Sequence, residues 1–227
     1  MNNQLILLGG GASIKDGLTL GLWDKLKDKF VIGTNYSYNY FTPTVLACVD
    51  WKFYDKEREK LKNLPLIITR QRKKTTDYMP NTIRLETSMQ YTRDLSGGIY
   101  SGVLTGIFSL SLAIYLLESG DIFLLGYDFT KEKRHNEIAQ THFYQGQINH
   151  RGIGKIDYYR SHSPNDIFTV YSGETKIKIY NVSMNSTISN FSKIDYTTFF
   201  SMLNNNICNQ EELRKEIIEK LSKLSKT

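Results

Sequence analysis

The stretch Gln4-Leu5-Ile6-Leu7-Leu8-Gly9-Gly10-Gly11-Ala12-Ser13 decides the fold. An apolar run stops at three glycines, and Leu18, Leu22 and Leu26 then recur at helical spacing up to Phe30. Strand, glycine turn and helix in that order open a Rossmann-like α/β unit. Glycines let backbone amides approach a phosphate with no Cβ in the way, and a helix start favours negative charge. The spacing is not the dinucleotide fingerprint, because Gly9, Gly10, Gly11 and then Ser13 lack a third, spaced glycine. No Gly-Lys-Ser/Thr follows to make a Walker loop. The plainer reading is a tight turn with Ser13 as an N-cap.

Outward from this turn, apolar strands are expected at Phe30 to Gly33, Thr44 to Val49, Leu66 to Thr69, Asp121 to Gly126 and Lys176 to Tyr180. Helices are expected over Lys56 to Leu64, within the apolar stretch Ile99 to Leu117, from about Ser163 to Tyr171, and over Gln210 to Leu224. The alternation predicts a mostly parallel sheet with helices on both faces. Ligands of such sheets sit at the carboxyl ends of the strands. Those ends read Gly9 to Ser13, Asn35, Asp50, Arg70 and Asp128, each of them polar, basic or glycine. Thr130 to Asn149 is polar and aperiodic, which suits a lid, inserted over about 130–162.

At 227 residues, with 40% hydrophobic, the chain has enough apolar side chains for one substantial core, and a single domain over 1–227 is expected. Leu5 to Leu8 is too short for a signal sequence, and Ile99 to Leu117 is broken by Ser101, Thr105, Ser109 and Ser111, so it reads as a buried helix rather than a membrane span. Two cysteines, Cys48 and Cys208, make no disulfide framework. A cytoplasmic location follows as the expectation. The net charge of +6 and the pI near 9.1 suit phosphate-bearing ligands, nucleic acid or an anionic membrane surface, without choosing among them. Peripheral membrane association and homo-oligomerisation both stay open.

Among residues able to carry chemistry, His162 stands just after the lid, where a neutral imidazole can take a proton from an acceptor hydroxyl. A surface histidine near a helix start is the plainer alternative. His135, His142 and His150 show no metal-ligand spacing, so no zinc site is expected. Asp50 and Asp128 each end an apolar strand, where a carboxylate can hold ribose hydroxyls, hold Mg²⁺ beside phosphates, or cap backbone amides.

Several short pieces stand in one order across most of the chain. They are Gly9 to Ile14, Thr34-Asn35, Arg93 with Ser96-Gly97, Asp121 to Phe129, Tyr159 with His162-Ser163, Asn165-Asp166, and Lys176 to Tyr180 leading to Asn185-Ser186. In this set the chain resembles the bacterial lipooligosaccharide sialyltransferases, with wider similarity to flagellin-modification and MptE-like proteins. The resemblance implies a CMP-sugar donor at the glycine turn and strand ends, with Asn35, Ser96, Asp128, Asn185 and Ser186 in nucleotide binding. It implies His162 as general base, Arg93 and Tyr159 near the reacting groups, and one inverting displacement with no required cofactor. The chain departs from the family at Gly10 and Asp50, each in place of an asparagine, and at Thr130 in place of a tyrosine that Tyr144 or Tyr158 would have to replace. Sugar and nucleotide therefore stay open.

The function expected is that of an inverting glycosyltransferase acting from a nucleotide-sugar onto an acceptor hydroxyl of a glycan or other molecule. Two alternatives stand beside it. One is an ATP- and Mg²⁺-dependent pyrophosphokinase using Asp50 and Asp128. The other is a nucleotide- or nucleic-acid-binding module using the run Arg70 to Lys74, including a DNA-modifying transferase. Nucleic acid is the less favoured partner, because no aromatic side chains interleave with that run.

Overall fold

The computed structural model describes residues 3–71, 77–101, 104–129, 143–144 and 163–224. The chain opens with β1 (Gln4–Leu8), α1 (Ile14–Leu18), α2 (Leu22–Leu26) and β2 (Val31–Thr34), then a 3-10 turn over Asn35–Asn39. Next come β3 (Val45–Cys48), α3 (Trp51–Lys56), α4 (Arg58–Leu61), β4 (Ile67–Arg70) and β5 (Thr82–Leu85). Two short strands, β6 (Thr87–Ser88) and β7 (Ile99–Tyr100), lead to α5 (Thr105–Leu117) and β8 (Gly120–Leu125). The described chain ends with α6 (Pro164–Phe168), β9 (Ile177–Val182), β10 (Ser192–Lys193), α7 (Tyr196–Met202) and α8 (Gln210–Ser222).

The expected α/β architecture is present: eight strands lie in the order β10-β9-β8-β1-β2-β3-β4-β5, all parallel. The chain builds outward from β1 to β5, then returns to β1's other side with β8. That reversal makes the carboxyl ends of β1 and β8 the topological switch point, the usual place for a crevice. Both faces of the sheet are covered. Leu5, Leu7, Ile32, Val45 and Ala47 pack under α5 and α8, while Ile6, Leu8, Val31, Leu46 and Phe123 pack under α1, α2, α3 and α7. Strands buried on two faces carry apolar residues on both, which is why Leu5 to Leu8 in β1 and Ile122 to Leu125 in β8 read as unbroken apolar runs.

Three helical expectations are corrected. The helix begun by the Leu18, Leu22, Leu26 spacing breaks into α1 and α2, because Gly21 takes a left-handed conformation at φ 77°. The apolar stretch from Ile99 starts as β7 and becomes helical only at Thr105; its serines bond within the fold, Ser111 Oγ donating to the Tyr100 carbonyl at 2.9 Å. The charged helix expected over Lys56 to Leu64 is instead α3 and α4, which meet at Glu57.

At that joint the Glu57 side chain is buried, accepting from the Tyr38 hydroxyl at 2.9 Å and pairing with Lys60 at 3.2 Å. Burial pushes its carboxyl up, and the Tyr38 hydroxyl with Lys60 and Lys56 outweighs this, so Glu57 titrates below the usual carboxylate range. A depressed carboxylate stabilises the fold above its unfolded value and loses that contribution as pH falls through the folded one. In acid-unfolding curves, Glu57→Gln is expected to lower stability near neutrality and to flatten the acid limb. An acid limb as steep as that of the wild type would remove Glu57 from the account.

Candidate functional site

The glycine turn is built by close approach to the loop after β8. The Gly9 amide donates to the Leu125 carbonyl at 2.7 Å, and the Gly11 amide donates to the Gly126 carbonyl at 2.9 Å. A Cβ on Gly9 would meet the Gly126 carbonyl at 2.7 Å, and one on Gly11 would meet Asp128 Oδ2 at 2.5 Å. Gly126 itself sits at φ 70°. Two of the three glycines are therefore required by contact between protein segments.

Asp128, which is 6% exposed, closes this contact. Its Oδ2 accepts from the Ser13 amide at 2.8 Å and its Oδ1 from the Ser13 hydroxyl at 2.5 Å. The start of α1 thus holds the protein's own carboxylate where the sequence suggested a phosphate. The N-cap position of Ser13 is as expected, but its hydroxyl makes no cap hydrogen bond of its own. The Gly10 and Ala12 amides have no partner among the described residues, and these are the donors the turn still presents. Tyr196 lies against Gly17 on α1, and burial, then the Asp128 and Asp16 carboxylates, push its phenol up so that it stays protonated.

Across the switch point, Asn35 takes a left-handed conformation at φ 46° and accepts from Thr105 Oγ1 at 3.3 Å. Thr105 is the first residue of α5, whose N-cap Leu104 supplies no side-chain cap. The amides of that first turn have no intrahelical acceptor. Their partial positive charge faces the carboxyl ends of the strands beside Asn35. Sequence reasoning missed Thr105, because an apolar helix with no Ser, Thr, Asp or Asn before it gives no signal for its start.

The other expected site residues divide. Asp50 is exposed and caps α3, accepting from the Lys52 amide at 2.9 Å. Asn185 is exposed in the turn after β9. Ser186 is buried and braces the loop after β8: its hydroxyl donates to the Tyr127 carbonyl at 2.8 Å and accepts from Asn181 at 2.9 Å. It is an organiser of Asp128's loop rather than an open donor. Ser96 and Gly97 are exposed in the turn before β7, where the Ser96 amide donates to Asp94 at 3.0 Å.

Arg93 is not with the others. It donates to Glu174 at 2.5 Å and to the Glu118 carbonyl, and these residues precede β9 and β8. That is the amino-terminal edge of the sheet, roughly 20 Å from the switch point along a six-residue strand. Tyr91 donates to the same Glu174, so Arg93 completes a structural cluster.

His162 and Tyr159 lie outside the described residues, as do Thr130, Tyr158 and most of the expected lid. Phe143 and Tyr144 are described. The Phe143 amide donates to the Gly10 carbonyl at 2.9 Å, and its ring meets Tyr40 at 5.0 Å and Trp23 at 6.3 Å. Tyr144, 2% exposed, packs on Tyr36 and Tyr40, and burial pushes its phenol up. It packs in the core there.

Among the described residues, no group of three His, Cys, Asp or Glu side chains is placed to hold a metal ion. No helix among them is long and apolar enough to cross a membrane. No family model matches the chain, and neither the curated proteins nor the solved structures contain a match to it.

Proposed function

We propose that the chain binds a nucleotide-sugar at the carboxyl ends of β1, β2 and β8 and transfers the sugar to an acceptor hydroxyl with inversion. The observation that carries the binding half is the convergence at the switch point. The amides of Gly10 and Ala12, the amide side chain of Asn35 and the uncapped start of α5 stand at one edge of the sheet, at the carboxyl ends of the neighbouring strands β1 and β2. Hydrogen-bond donors at helix starts and glycine turns suit phosphate oxygens. The transfer half rests on the ordered resemblance to sialyltransferases, in which His162 is the base. The departures at Gly10, Asp50 and Thr130 favour a donor other than CMP-sialic acid.

The metal-dependent pyrophosphokinase reading has no observation in its favour, since Asp50 caps α3 and Asp128 serves Ser13. Transfer of sugar in excess chelator would separate the two chemistries.

The test is a thermal-shift panel of CMP, UDP, GDP, ATP and their sugars, since a ligand that binds only the folded state raises its melting temperature. One nucleotide-sugar is expected to stabilise the protein in a saturable way. Gly10→Val is expected to weaken that ligand about tenfold or more by blocking backbone approach to the phosphate, and its unliganded melting temperature shows whether it folds. Equal affinity in a folded Gly10→Val protein would move the ligand away from this turn.

A further inference from the structure

Arg70 ends β4 at the same edge of the sheet, and no described side chain answers it. Along β4, Leu66 and Ile68 belong to the core under α5, while Ile67 belongs to the opposite face. Strand alternation therefore puts Arg70 on the α5 face. The register sets Thr69 beside Cys48, so Arg70 stands next to the end of β3, one strand beyond β2 and Asn35. Arg70 is half-buried there.

Its Nε is fully buried with no hydrogen-bond acceptor, and none of the ion pairs among the described residues includes it. Three other described arginines are matched: Arg58 pairs with Asp77, Arg93 with Glu174, and Arg84 lies over the Tyr78 ring. A guanidinium with no partner among the described residues keeps its outer Nη–H donors for an acceptor that comes from outside. Its planar fork suits two oxygens of one phosphate.

We infer that Arg70 is a phosphate receptor of the ligand, its two outer Nη groups donating to two oxygens of a single phosphate group. The inference rests on the proposed function only for the phosphate being part of a nucleotide. That phosphate is either the one group of a nucleoside monophosphate or the outer group of a diphosphate. Arg70 is a binding residue here, and Lys in its place would keep the charge without the fork.

The experiment measures inorganic phosphate, pyrophosphate, CMP, CDP, UMP, UDP, GMP and GDP by calorimetry on the wild type, Arg70→Gln and Arg70→Lys. Melting temperatures without ligand show whether each variant folds. Pyrophosphate or phosphate is expected to bind the wild type, and Arg70→Gln to weaken it about tenfold or more, with Arg70→Lys between. A loss confined to diphosphates assigns Arg70 to the outer phosphate, and an equal loss for monophosphates assigns it to the single one. Pyrophosphate and phosphate that bind wild type and a folded Arg70→Gln equally, or bind neither, overturn the inference. Should Arg70→Gln fail to fold, Arg70→Lys decides by the same comparison. Arg70-dependent phosphate binding with no nucleotide affinity would sink the nucleotide reading and keep the receptor. Nucleotide binding indifferent to Arg70 would do the reverse.

Discussion

Turnover by His162→Ala is expected to fall about a hundred- to ten-thousand-fold, the range that a positioned general base contributes. The acceptor hydroxyl must lose its proton as its oxygen bonds to the anomeric carbon. An imidazole takes that proton near neutral pH because its unperturbed pKa lies close by. Donor affinity should change little, so the loss should appear in kcat rather than in the dissociation constant of the nucleotide-sugar. In the wild type, activity should decline on the acid side, where a protonated imidazole no longer accepts. His162 is known here from the sequence alone, which makes the kinetic split the direct check. Near-normal turnover of His162→Ala on its true acceptor would remove the proposed mechanism and leave only the nucleotide site.

A methyl group at Gly11 should cost the fold heavily. The added Cβ would stand 2.5 Å from Asp128 Oδ2 and 2.6 Å from the Gly126 carbonyl. One of these neighbours is backbone, and the other is the carboxylate that receives both Ser13 donors. Neither can retreat without breaking a buried hydrogen bond. Overpacking of this kind costs about 1–3 kcal/mol, and the lost Asp128 contacts add to it. For Gly11→Ala we expect about 3 kcal/mol, seen as a fall in melting temperature of roughly 6–12 °C for a chain of this size. Gly173→Ala is the control, since a Cβ there meets nothing within 4 Å. If Gly11→Ala melts with the control, the contact between the two loops is looser than its distances imply. Together with Gly10→Val, the pair would separate a glycine that serves the fold from the one proposed to face a ligand.

Much of the sheet was legible because β1, β2, β3, β4 and β8 are buried on both faces, and each carries a short apolar run, while β9 alternates Ile177 and Ile179 with the exposed Lys178. β5 was not: Thr82-Ile83-Arg84-Leu85 is an edge strand, half exposed, with a charge in its middle. The break at Gly21 was hidden because the leucine spacing continues through it. At the sheet's carboxyl edge, Ser13 meets Asp128 between the ends of β1 and β8, and Asn35 stands at the end of the neighbouring β2, since the ends of parallel strands must share an edge. What they do there was not legible. Ser13 and its carboxylate are 115 residues apart, and no local pattern distinguishes an aspartate that meets a ligand from one that meets a serine. Arg93 was misplaced for the same reason, because its partner Glu174 lies 81 residues further on. Arg70 was read as a strand end, but its lack of a partner is visible only in three dimensions.

The position of β1 between β2 and β8 has a consequence for synthesis on the ribosome. One side of β1 is covered as soon as β2 emerges, but the other waits for β8, roughly ninety residues later. At common elongation rates that interval is on the order of 5–18 s. Throughout it the central strand of the mature sheet is an apolar outer edge, the kind of surface that recruits foreign strands. A nascent chain arrested before residue 120 should therefore be held by chaperones or aggregate, and one released beyond β9 should not.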